Sequence, residues 1–119
     1  NVPWIGLPVR DRIVALQVYP QQMIGMFVWY ENLDCTGKTY IAGSALTPAN
    51  VFVFGAVAEP HGVVYVQTAT GTVGSKLVGS VLGTDGVCAS LGKQALRTAV
   101  EAEAALDLDA LFQRPYAVR

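Results

Sequence analysis

The sequence predicts a mainly β chain, an antiparallel β-sandwich or barrel with one short helical turn near its C-terminus. Runs rich in valine, isoleucine and aromatic residues, which suit a pleated half-buried surface, recur from Ile13 to Thr68. Clusters such as Asn32 to Lys38, Glu59 to Gly62 and Gly83 to Gly86 punctuate these runs with turn chemistry. The twelve glycines and six prolines are dispersed, as many short strands joined by turns require.

Leu7 to Arg10 and Ile13 to Tyr19 read as the first two strands, with Pro3, Pro8 and Pro20 around them. Proline lacks a ladder donor, so these strands begin at a proline or lie at a sheet edge. Phe27 to Ala42 reads as a β-hairpin around the polar knot Asn32 to Lys38. In that knot Asp34 can accept from a backbone N–H and Gly37 can take positive φ. Val51 to Phe54 and Val63 to Thr68 follow as strands, the second entered through the turn Glu59-Pro60-His61-Gly62. Gly71 to Ser75 breaks the pattern, Lys76 to Leu82 resumes it, and Gly83 to Gly86 turns the chain toward Val87 and Cys88.

The segment after Cys88 carries two patterns. Leu96, Val100, Ala104, Leu108 and Phe112 recur every four residues, the ridge of a helix, in a stretch rich in alanine and glutamate. Val100 to Ala104 also alternates as a strand does. Pro115 disfavours the α region at Arg114, so the last residues are extended.

At 119 residues the chain is one domain, 1–119. It opens at Asn1 and reads as a mature or excised fragment of a longer chain. Net charge is −1, with the basic residues scattered, so no nucleic-acid partner is expected. The longest uncharged run, Thr39 to Ala58, is interrupted by Gly43-Ser44 and by Thr47 to Asn50, and reads as strands and a turn, not a membrane span. Charged residues make up only 14%, against about 25% in a typical domain. Near-continuous apolar runs such as Ile13 to Tyr19 and Val63 to Val66 would then leave a bare sheet face, which predicts a homo-oligomer. The alanine-rich segment Leu96 to Leu106 is the expected subunit contact.

Cys35 and Cys88 each lie beside turn residues, which fits a disulfide in an oxidising compartment, with two reduced thiols as the alternative. Two cysteines and one histidine without C-x-x-C spacing make a poor zinc site, so no metal or cofactor is expected. His61 lacks a partnered nucleophile, since Ser44, Ser75, Ser80 and Ser90 sit in no G-x-S-x-G context, and no enzyme activity is expected. Glu101 with Glu103 and Asp107 with Asp109 lack the spacing of a calcium loop and read as a solvated face. Thr70 to Lys76 has the wrong glycine spacing for a phosphate loop. Most aromatics read as core. Trp4, between Pro3 and Gly6, is the expected surface or interface aromatic.

The pattern Tyr30-Glu31-x-x-Asp34-Cys35-Thr36-Gly37-x-x-Tyr40 resembles a signature of β-rich domains in predicted secreted bacterial proteins. Some of those domains follow collagen-like stalks, and similar ones form the tips of phage tail fibres. Pro8 to Asp11, Gly86-x-Cys88 and the ending Asp107-Leu108-x-x-Leu111-Phe112-x-x-Pro115-Tyr116-x-Val118-Arg119 fit the same pattern. The chain departs from it at Arg12-Ile13-Val14, where a glycine-bearing turn is usual, and in its alanine-rich stretch before Asp107.

The resemblance carries over no catalytic or binding residue. It implies a secreted, extracellular or virion-surface protein, a Cys35–Cys88 disulfide and three-fold assembly. The implied role is a structural or adhesive head of a fibre or stalk, with a glycan- or receptor-binding tip as the alternative. Against the local helix propensity, the β context of the remaining chain and this family-like ending together set the expectation for the ambiguous segment: Leu96 to Ala105 extended, followed by a helical turn over Asp107 to Phe112 capped by Asp107.

Overall fold

A computed structural model describes residues 3–9, 12–42, 52–59, 62–68 and 71–116, with the backbone alone at 52–54. The chain is mainly β and forms two sheets packed as a sandwich, with one short helix near the C-terminus.

The first sheet is built on β2 (Arg12–Val18). β1 (Trp4–Val9) pairs antiparallel along one side of it, from Trp4 opposite Gln17 to Val9 opposite Arg12. Among the described strands β1 pairs with β2 alone, so Pro8 lies in a peripheral strand, where proline is tolerated. Along its other side β2 meets β3 (Met23–Ile24), antiparallel at Gln17 and Val18, and β6 (Phe52–Phe54), parallel at Ile13 to Ala15.

The second sheet has the order β5-β4-β9-β10-β8-β7. Its members are β4 (Val28–Tyr30), β5 (Thr39–Ala42), β7 (Ala56–Ala58), β8 (Val63–Gln67), β9 (Gly74–Leu82) and β10 (Cys88–Asp107). The expected hairpin is β4 with β5, which places Trp29 opposite Tyr40. Gly83 to Val87 closes a second hairpin between β9 and β10, where Gly86 N–H donates to the Gly83 carbonyl at 3.0 Å. β5 also pairs with β10, so β10, β9, β4 and β5 form a closed ring of pairings. The sandwich thus contains a barrel-like closure.

The segment with the helical ridge is strand, as expected, and runs unbroken to Asp107. Tertiary pairing overrides its helix propensity. The strand is laddered to β9, β5 and β8 in turn, and it turns Ala99, Val100 and Ala102 into the core. α1 (Leu108–Leu111) follows, with the Asp107 carboxylate accepting from Asp109 N–H at 3.1 Å. Leu108, in register with the supposed ridge, is fully buried there.

The main core lies between the sheets. Leu7, Val9, Val14, Leu16, Val18 and Met23 face Val57, Val64, Val66, Leu108 and Tyr116. Because the second sheet curls on itself, it also encloses clusters of its own. Val28, Ile41, Ala56, Val100 and Ala102 form one, and Tyr40, Val78 and Ala99 another. The burial of Ala99 and Ala102 corrects one expectation. These small side chains let strands approach inside the domain, so Leu96 to Leu106 as a whole does not face outward. In β2 and β8 buried residues alternate with half-covered ones, so their near-continuous apolar runs serve both faces of a folded sheet.

The chain crosses between sheets twice at one place. β3 continues through Gly25 toward β4, and β6 continues through Gly55 into β7. Met26 N–H donates to the Gly55 carbonyl at 2.7 Å, and Met26 bridges to Ala56. A Cβ on Gly25 would lie 2.0 Å from that same carbonyl oxygen, and one on Gly55 would lie 2.5 Å from Val14 Cγ1. The obstacle at Gly25 is backbone and cannot move aside as a side chain would. Gly25→Ala is therefore expected to destabilise by about 3 kcal/mol. Gly74→Ala, whose Cβ meets nothing within 4 Å, lacks that clash and serves as the control. Urea denaturation midpoints of the two variants check this.

Candidate functional site

Two features stand out once the fold is in place: the polar knot at the tip of β4–β5, and the arm formed by β9 with the first half of β10. In the knot, Asn32 N–H donates to the Thr36 carbonyl at 3.2 Å, and the Thr36 hydroxyl donates to the Asp34 carboxylate. Gly37 takes φ +87°, and Cys35 itself is left-handed at φ +57°, a conformation that residues with a side chain enter reluctantly. Cys35 and Cys88 are disulfide-bonded with their Cα atoms 6.0 Å apart, so the thiol alternative is set aside. The bridge ties the knot to the start of β10.

A buried hydroxyl completes the attachment. Ser80, fully inaccessible to solvent, accepts from Cys35 N–H at 2.8 Å and donates to the Asn32 carbonyl at 2.5 Å. Beside it the knot backbone presses on β9 at Gly79, where a Cβ would lie 2.7 Å from the Glu31 carbonyl oxygen. Sequence reasoning weighed Ser80 only as a nucleophile. The available signal was a hydroxyl directly after a glycine inside the apolar run Leu77 to Leu82.

A second polar cluster, also missed in the sequence, pins the C-terminal segment. The Arg114 guanidinium bonds Glu59 Oε2 at 3.1 Å, Asp109 Oδ1 at 3.0 Å and the Gln21 carbonyl, and lies 5.3 Å from the Tyr116 ring centroid. Burial disfavours its charge, but the hydrogen bonds to Glu59 and Asp109 outweigh this and raise its pKa further. Tyr116 N–H donates to the Pro20 carbonyl at 2.7 Å. Elements distant in sequence are thereby joined at one point.

The remaining candidates are dispersed. Trp4 is 52% exposed on β1, and Phe27 is 50% exposed at the far end of the β4 hairpin. Trp29 is half-buried, with the Arg97 guanidinium 5.8 Å from its ring centroid. Glu101 and Glu103 share a face of β10, opposite Tyr40 and Val66 respectively. Asp107 caps α1 and Asp109 holds Arg114, so both have structural partners. His61, Ser44 and Thr70 lie outside the described residues. Gly74 to Lys76 begins β9 and is strand, not a phosphate loop. Among the described residues no group of three or more His, Cys, Asp and Glu side chains is placed to hold a metal ion, and no helix is long and apolar enough to cross a membrane.

Tyr30, Tyr40 and Tyr116 have raised pKa values, chiefly because burial disfavours the phenolate. Tyr30, beside the Tyr65 hydroxyl, is pushed up to about 12. A raised folded-state value means that the folded protein holds these protons more tightly than the unfolded chain. Stability is therefore full below about pH 10 and declines as pH rises through the folded values. Phenolate absorbance followed together with circular dichroism is expected to show part of the tyrosine titration delayed until the sheet signal is lost.

β9 and β10 pair Ser75 with Thr98, Lys76 with Arg97, Leu77 with Leu96 and Val78 with Ala95. Lys76 and Arg97 share the face of the buried Val78 and Ala99, where Arg97 is exposed and its guanidinium reaches Trp29. Leu77 and Leu96 lie on the opposite face, 46% and 68% exposed, and further along β10 that face carries the buried Val100. No protein-family model, curated protein or solved structure matches the chain, so the site rests on its own geometry.

Proposed function

We propose that this chain is a non-enzymatic extracellular head domain, a structural or adhesive unit of a fibre, filament or stalked assembly that works as a homotrimer. The observation that carries the reading is the Cys35–Cys88 bridge, which staples an exposed surface knot to the longest strand. Such a bridge belongs to an oxidising compartment and suits a domain that must keep its shape outside a cell. The sequence resemblance to secreted stalk-borne and tail-fibre tip domains supports the same role, and the three-fold state comes from that resemblance.

Sedimentation equilibrium at micromolar concentration tests the assembly. The expected species is three times the 12.6 kDa chain mass, and a 12.6 kDa species removes the trimer. A second reading, a glycan- or receptor-binding tip, is favoured by the exposed aromatics Trp4 and Phe27. It predicts glycan-array signals that fall on Trp4→Ala or Phe27→Ala. An array with no signal removes its glycan form.

A further inference from the structure

We infer that Cys88 is a modification site for low-molecular-weight thiols: the Cys35–Cys88 bridge opens at the Cys88 sulfur, which takes up the thiol, and Cys35 is released. The two halves of the bridge are unequally presented. Cys88 and its neighbours Val87, Ala89 and Ser90 are all exposed, at the start of β10. Cys35 is half-buried, and its N–H is held by the buried Ser80 hydroxyl. Asn32 closes the knot around it, bonding Thr36 through the backbone at 3.2 Å and through the side chains at 3.1 Å. In thiol–disulfide exchange a thiolate must reach one sulfur of the bridge, so access selects which sulfur is attacked. Charge does not select it. Asp34 adjoins Cys35, and the Asp85 carboxylate accepts from Val87 N–H at 3.0 Å beside Cys88.

The step needs no oxidant. The electron pair of the attacking thiolate forms a new S–S bond to Cys88, and the Cys35–Cys88 bond breaks. Its electrons leave on the Cys35 sulfur, which takes a proton from water. The fold then keeps the separated sulfurs near each other, because both segments are attached to β9. The knot stays on Ser80 and against Gly79, while Cys88, Ala89 and Ser90 remain laddered to Leu82, Val81 and Ser80. From that position the Cys35 thiolate expels the bound thiol and the bridge re-forms. The modification is therefore reversible without unfolding, as exposed disulfides allow.

Peptide mass mapping tests this after the folded natural chain is treated with excess reduced glutathione, quenched in acid and alkylated. The expected adduct carries glutathione on Cys88 and the alkyl group on Cys35, in about ten-fold or greater excess over the reverse isomer. In urea, where both sulfurs are accessible, the two isomers are expected in comparable amounts. Equal isomers in the folded chain, an excess on Cys35, or no adduct at all overturns the assignment. The same Cys88 excess in urea overturns it too, because the preference would then come from the local sequence and not from the fold.

Discussion

Arg114→Ala is expected to destabilise the fold by about 3–5 kcal/mol, the range for removing one partner of a buried ion pair. The Glu59 side chain is 7% exposed, and its Oε1 already lacks a hydrogen-bond partner among the described residues. Without the guanidinium the carboxylate keeps its burial and loses its counter-charge. The variant also frees the Gln21 carbonyl and Asp109 and uncovers the Tyr116 ring. Adding Glu59→Gln to Arg114→Ala separates these effects, because it removes the stranded charge and keeps the shape. Chemical denaturation of both variants is the measurement. Recovery of a large share of the loss in the double variant would identify the buried charge as the cause, and no recovery would locate the cost in the lost tether to Gln21 and Tyr116.

Cys35→Ser/Cys88→Ser is expected to lose about 4 kcal/mol, the chain-entropy value for a loop of this length. The bridge spans a sequence separation of 53 and limits the unfolded chain accordingly. A domain is typically stable by only ~5–15 kcal/mol, so the change is large. The urea midpoint of the double variant, and of the natural protein with and without reductant, reads it directly. An unchanged midpoint would mean that Ser80 and the Gly79 contact hold the knot unaided.

Much of this architecture was legible in the sequence. Strand runs, the Asn32 to Lys38 knot and the Asp107 turn depend on local chemistry: β-branched residues, a glycine with positive φ, a carboxylate at a helix start. The extended state of Leu96 to Ala105 was not available from its own residues, since alanine and glutamate there favour helix. It became legible only through the surrounding β pattern and the resemblance of the ending. The Ser80 hub and the Arg114–Glu59 pair were beyond local reading. Their partners lie 45 and 55 positions away, and no spacing rule links a serine in one strand to a cysteine in a distant turn. The facing of the arm was hidden for a related reason. Alternation in Ser75 to Val78 tells that Leu77 and Lys76 face opposite ways, but only the packing of Val78, Ala99 and Val100 shows that β10 enters the core on both faces beyond Thr98.

The ring of pairings through β10 also sets the order in which the molecule can be completed. β10 comes after every other described strand, and it supplies a partner to β5, β8 and β9 alike. As the polypeptide leaves the ribosome, those earlier strands emerge with hydrogen-bonding edges that nothing yet satisfies. Contacts of such long sequence separation form slowly, because loop closure precedes the gain from pairing. The nascent chain therefore stays adhesive until β10 has been made, and a molecule truncated before Cys88 would leave the β5-β4-β9 and β8-β7 parts of the second sheet unjoined.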